Sequence, residues 1–159
     1  MNTLRAVSLL AATLTMGLIT GAFALYAHSI MPGLKTTDDR TFVTAFAAMD
    51  RAIINPWFML TAFLGALVFT VAATLVNLGE DAFPFAVAAL VAYGVVFVIT
   101  MVVNVPLNDA LKAATGSDFT AIRERFQEGR WVAWNLVRTF LSGGAFVALS
   151  WALLVHDRT

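Results

Sequence analysis

The chain has 159 residues, 60% hydrophobic and 13% charged, with a formal net charge of +0 and no cysteine. Soluble domains are nearer half apolar with a quarter charged, so these proportions describe an integral membrane protein. They exclude disulfides, iron–sulfur clusters, thiolate zinc sites and cysteine nucleophiles and, with no basic block, nucleic acid as a partner.

The amino terminus, Met1 to Arg5 before an apolar run, looks like a secretory signal, and Ala22-Phe-Ala24 like a cleavage site. The run from Ala6 to about Ile30 is longer than the usual signal core of roughly 7–15 residues, so it is read as a retained first span. Thr13, Gly17, Thr20, Ala24 and His28 share one narrow face of it. Small residues let helices approach closely in lipid, and packing accounts for Thr13 to Ala24. His28 ends the stripe at the membrane edge, just before Met31-Pro32.

Residues 33–55 form a polar connection in which Asp38 or Asp39 can cap a helix carrying Phe42, Phe46, Met49 and Ile53 at helical spacing. Asn55-Pro56 ends it, and Trp57 opens a second span to about Val76. A proline at a helix's first position loses no ladder hydrogen bond. Asn77 to Asp81 is a short turn. The third span runs from about Phe83 to Val103, with Tyr93, Phe97, Thr100 and Asn104 on one face. It ends in Asn104-Val-Pro-Leu-Asn108, where Pro106 is expected to break or kink the helix.

Residues 109–130 are a second polar connection, with Ser117 or Asp118 capping a helix whose apolar positions are Phe119, Ile122 and Phe126. Arg123, Glu124, Arg125 and Glu128 read as its solvated face. The fourth span, about 131–155, opens with Trp131, Asn135, Arg138 and Ser142 inside an arc of about 60°. An arginine two turns inside a span costs about 2.5–3.5 kcal/mol on insertion scales, so Arg138 should face a protein interior or a wet cavity. The fold expected is all-α: one membrane domain, a four-helix bundle with amphipathic helices in the two long connections.

Pro32–Trp57 and Pro106–Trp131 share a separation of 25 residues, which suggests a 2+2 duplication. Lys35, Arg40, Arg51, Lys112, Arg123, Arg125 and Arg130 lie in the long connections, against Arg5 and Arg158 on the other side. The positive-inside rule puts those connections in the cytoplasm and the termini outside.

Four antiparallel spans bring His28, Asn55, Asn104, Asn108, Trp131, Asn135 and Arg138 to one membrane face. This one-sided clustering points to a pocket floored by Arg138. Trp131 and Trp57 are either interface anchors or ligand contacts, and Asn104 and Asn108 either helix caps or site residues. No carboxylate lies within a span, so Arg138 finds its partner in Asp50 or Asp109 on the connections, or in an anionic ligand, which the reading favours. One histidine among amides is not a zinc, copper or non-haem iron site, so no metal is expected. A haem would have His28 as its single axial ligand.

Met31-Pro-Gly-Leu34, Asn55-Pro-Trp-Phe58, Asn104-Val-Pro-Leu-Asn108 and Trp131-x3-Asn135-x2-Arg138 together resemble the anthrone oxygenase-like family of small four-span membrane proteins. The resemblance covers nearly the whole chain and implies oxidation of an aromatic, polyketide-like substrate by molecular oxygen with no metal or flavin cofactor. On that footing His28 is expected as the base, and Arg138, Asn104 and Asn135 as stabilisers of an enolate and a peroxide. Trp131 and Phe97 would stack on the substrate rings, with Asn55 and Asn108 also at the pocket. The expected partners are the lipid bilayer and a small apolar aromatic ligand, and a homo-oligomer is compatible with the sequence. The alternatives are a non-catalytic binder of a quinone, lipid or aromatic, and an accessory subunit of a membrane complex.

Overall fold

A computed structural model describes residues 2–114 and 116–156; Met1 and Arg158, which entered the reading of the termini, lie outside them. The described chain is helical throughout and has no strand. Helix α1 spans residues 2–35, α2 is Asp39–Ile53, α3 spans 56–76, α4 spans 83–113, α5 is Phe119–Phe126 and α6 is Glu128–His156. Four of these stretches are long and apolar enough to cross a bilayer, which fits a multi-pass membrane protein.

The four long helices form an antiparallel bundle in which α6 packs between α1 and α4, and α3 packs on the other side of the same two. Small residues make this possible. Ala12, Ala62, Ala66, Ala73, Ala89, Ala145 and Ala152 are all buried, interleaved with Leu9, Met16, Ile19, Val96 and Leu149. Along the expected stripe of α1, a Cβ on Gly17 would meet the Phe146 ring of α6 at 3.1 Å, so close packing does account for that stripe. Leu14, Leu18, Val98, Phe140 and Val147 point outward, as an apolar solvent allows. At the short-turn end, Arg5 pairs with Glu80 at 2.7 Å and its Nε–H donates to the Val76 carbonyl, tying the start of α1 to the end of α3.

The sequence leaves Pro106 to break or to kink the helix. The helix is not broken: it continues through Pro106 to Ala113, and α1 likewise runs through Pro32 to Lys35. In both, a π turn (Tyr26–Ile30 or Thr100–Asn104) immediately precedes the X-Pro pair. A wider i→i+5 turn takes up an extra residue and moves the carbonyl with which the proline ring would collide, so the helix survives. A third π turn, Met59–Phe63, follows Pro56 in α3.

The two connections fold as a cap over this end. Asp38 and Asp118 cap α2 and α5 by accepting from the Thr41 and Ala121 amides, each at 3.0 Å. The two helices pack on each other and on the end of α4, burying Phe42, Phe46, Leu107, Leu111, Ile122 and Phe126. Arg123 is not on a solvated face. Its guanidinium pairs with Asp39 at 3.0 Å and Glu128 at 2.9 Å and lies 4.1 Å from the Phe42 ring centroid, locking α5 to α2 and to the start of α6.

Candidate functional site

Under the cap, at the level of the three π turns, lies a cavity of about 190 Å³. That exceeds the roughly 150 Å³ apolar cavity known to admit benzene. Its walls include Ile19, Phe23, Phe58, Met59, Phe63 and Val105, with Asp50, Asn108, Trp131, Asn135 and Arg138 as polar groups.

Residues spaced three and four apart put Trp131, Asn135, Arg138 and Ser142 on the buried stripe of α6. Arg138 is only 5% exposed. Its Nη1–H donates to Thr100 Oγ1 at 3.2 Å and its Nη2–H to Asn135 Oδ1 at 2.9 Å. The guanidinium sits 4.4 Å from the Phe23 ring centroid and 5.6 Å from that of Trp131. Among the described residues no carboxylate pairs with it, and its Nε–H has no acceptor. Asn135 is held in turn by donating to the Phe23 carbonyl at 3.1 Å. A buried guanidinium bonded only to neutral oxygens, and flanked by aromatic faces, has the chemistry to accept an anionic oxygen.

A second polar chain crosses the cavity wall. Trp131 Nε1–H donates to Asn108 Oδ1 at 2.7 Å, and Asn108 Nδ2–H donates to Asp50 Oδ1 at 2.6 Å. Lys112 Nζ lies 2.6 Å from Asp50 Oδ2 and 3.1 Å from Asp109. Asp50 and Asp109 were the carboxylates available to Arg138, and both serve Lys112 instead. Trp131 is buried at the meeting point of the two chains, against Tyr26, Phe46 and Phe126. Trp57, by contrast, is 68% exposed, as an interface anchor would be.

The other expected site residues lie apart. His28 is exposed, 2.7 Å from the Ser29 hydroxyl, and is not part of the cavity wall. Asn55 caps α3, accepting from the Phe58 amide and donating to the Ala52 carbonyl. Phe97 stacks on Phe63, behind the wall. Asn104 is buried, donates to the Trp131 carbonyl at 3.4 Å, and has an Oδ1 with no donor among the described residues; it too lies behind the wall.

Asp50 is the site residue that sequence reasoning undervalued. Its signal is its phase: four residues after Phe46 and three before Ile53, it puts an acid on the apolar face of α2. Phe23, Phe58, Met59 and Phe63 carry no such signal, because apolar residues on an apolar helix look alike.

A family model described as anthrone oxygenase matches residues 42–148. No curated protein and no solved structure matches the chain. The matched stretch runs from α2 into α6 and includes Asp50, Asn108, Trp131, Asn135 and Arg138. It covers well over half of the sequence, and the chain therefore belongs to the anthrone oxygenase family.

Proposed function

We propose that this protein is a membrane oxygenase that converts an anthrone-like carbon acid to the corresponding quinone with molecular oxygen, without metal or flavin, and that its capped end faces the cytoplasm. The observation that carries the reading is Arg138, a buried guanidinium with no counter-charge among the described residues, at the wall of an apolar cavity. A neutral aromatic ketone fits such walls. Removing a proton from its methylene carbon moves charge onto the ketone oxygen, and Arg138 is the group that would receive it.

Asp50 is the base this geometry favours, since it lines the cavity while His28 does not. Asn108 and Lys112 hold its carboxylate in place, and Asn135 positions Arg138. The enolate gives one electron to oxygen, and the radical pair combines to a carbon–oxygen bond, forming a peroxide that takes up a proton. Loss of the remaining proton on that carbon, with cleavage of the O–O bond, releases water and leaves the second carbonyl. One oxygen atom enters the product and the other leaves as water.

The test is oxygen uptake and quinone absorbance with emodin anthrone, corrected for spontaneous oxidation. Wild-type protein should give a protein-dependent rate, and folded Arg138→Ala should lower it by about 10²–10³, the usual cost of losing an oxyanion donor. Absence of any protein-dependent rate would reject the oxygenase reading in favour of a non-catalytic binder using the same cavity.

A further inference from the structure

We propose that the guest reaches this cavity sideways from the bilayer, through a window between α3 and α4, so that the substrate class is a flat, uncharged, lipid-dissolved aromatic that acquires charge only once inside. The identity of the guest rests on the oxygenase reading; the route rests on the walls alone.

Helices α3 and α4 pack on each other through Leu64–Val76 and Phe83–Ile99. Apart from Phe63, their π turns pack chiefly on other helices, Met59–Phe63 on α1 and Thr100–Asn104 on α6. The Tyr93 hydroxyl donating to the Phe63 carbonyl at 2.9 Å, and the Phe63–Phe97 stack at 5.3 Å, join the two helices there. Beyond them both helices contribute side chains to the cavity. Two lining residues are also outer-surface residues, namely Ile54 at 60% and Met101 at 44% exposure. Their outward neighbours Trp57, Leu60, Val98 and Val102 are exposed and apolar, so the mouth opens on a surface suited to lipid.

The cap side is closed to such a guest. Phe42, Phe46, Phe126 and Trp131 form one ring cluster above the cavity, and the Asp50–Lys112 pair seals its edge. A molecule already carrying charge would have to cross apolar walls to reach Arg138. A neutral one crosses them freely and meets the guanidinium where its own charge develops.

The chain has no cysteine, so Met101→Cys provides a single reporter at the mouth. In phosphatidylcholine vesicles it should react with pyrene maleimide, and at least about tenfold more slowly with a charged methanethiosulfonate. The attached pyrene should slow association of emodin at least about tenfold relative to unlabelled Met101→Cys. Pyrene on Phe140→Cys, which is 77% exposed on α6, should leave association unchanged. Ile54→Trp, narrowing the mouth from the other side, should lower the on- and off-rates together while Kd stays within about twofold, the mark of a gate and not of a binding contact. Labelled Met101→Cys binding emodin at the unlabelled rate, or Ile54→Trp altering Kd with an unchanged on-rate, would overturn the window. If emodin association is blocked by the label but no anthrone is oxidised, the route stands and the oxygenase reading falls.

Discussion

Gly65 offers a direct test of the π turn that shapes one wall of the cavity. It follows Met59–Phe63, and a Cβ built there would stand 2.5 Å from the Leu60 carbonyl oxygen. In an α-helix that carbonyl, five residues back, lies clear of the Cβ; the π turn brings it round. The contact is with backbone, so no rotamer change relieves it. Alanine normally gains about 0.5–1 kcal/mol over glycine in a helix interior. Forcing a methyl into filled space costs about 1–3 kcal/mol, so Gly65→Ala should be destabilising by about 0.5–2 kcal/mol. If the turn relaxes to α geometry instead, one side of it rotates by about 100° relative to the other and carries either Met59 or Phe63 out of the wall. Gly94→Ala is the control, because a Cβ there meets nothing within 4 Å, and the same chemical change should stabilise. Thermal unfolding of both variants in one detergent compares them, with anthrone turnover as the second readout. Equal stability gains, with turnover intact in both, would refute the argument.

The remaining predictions concern the base, the cap and acid. Asp50→Asn should lower turnover by about 10²–10⁴ while emodin still binds, whereas His28→Ala should stay within about twofold of wild type; a collapse in His28→Ala alone would return the base role to it. Gln127, with φ of 53°, ends α5 in the left-handed region. Gln127→Gly should relieve strain and stabilise by up to about 1 kcal/mol in thermal unfolding. The Thr120 hydroxyl, and then Arg123, hold the Asp39 carboxyl below its ordinary value of 3.8. Because the folded value is the depressed one, the contribution of Asp39 to cap docking is complete above 3.8 and is lost as pH falls through the folded value. The protection factors of amides in α2 and α5, with the intrinsic pH dependence of exchange divided out, should therefore be flat from neutral pH to mildly acid conditions and should fall only in strong acid, and Asp39→Asn should weaken that fall.

How much of this was legible in the sequence depends on whether a residue's role is set by its own helix or by a neighbour. The span count, a cap at Asp38 or Asp39 and another at Ser117 or Asp118, and the inward turn of Arg138 follow from period and local chemistry; the four long apolar helices and the buried arginine are seen, and the caps are Asp38 and Asp118. The equally spaced Pro32 and Pro106 are each preceded by a π turn. Helix ends were read short because a proline signals a stop, and nothing local announces the π turn that lets the chain continue. His28 shows the limit most clearly. It sits on the stripe that packs near α6, but the π turn at Tyr26–Ile30 shifts the helical phase just there and leaves it outside. Arg123 and Asp50 were misjudged for a related reason: their partners, Asp39 and Lys112, come from other helices.

The distribution of cost across the bundle supports the proposed function, in which Arg138 serves a guest. Replacing a buried ionic group with well-packed apolar residues is often neutral or stabilising, and the rest of this core shows how readily Ala, Leu and Val fill such positions. Yet around Arg138 the chain keeps, among the described residues, a guanidinium with no counter-charge, an Asn104 oxygen without a donor, and π turns in three of its four long helices at one level. Carbonyls beside two of those turns, Phe23 and Phe63, are engaged by the side chains of Asn135 and Tyr93. The first of these bonds fixes Asn135, and the second ties Phe63, both of them wall residues. Under the proposed function, an anionic oxygen of the reacting substrate would supply at Arg138 the charge that no described carboxylate provides there.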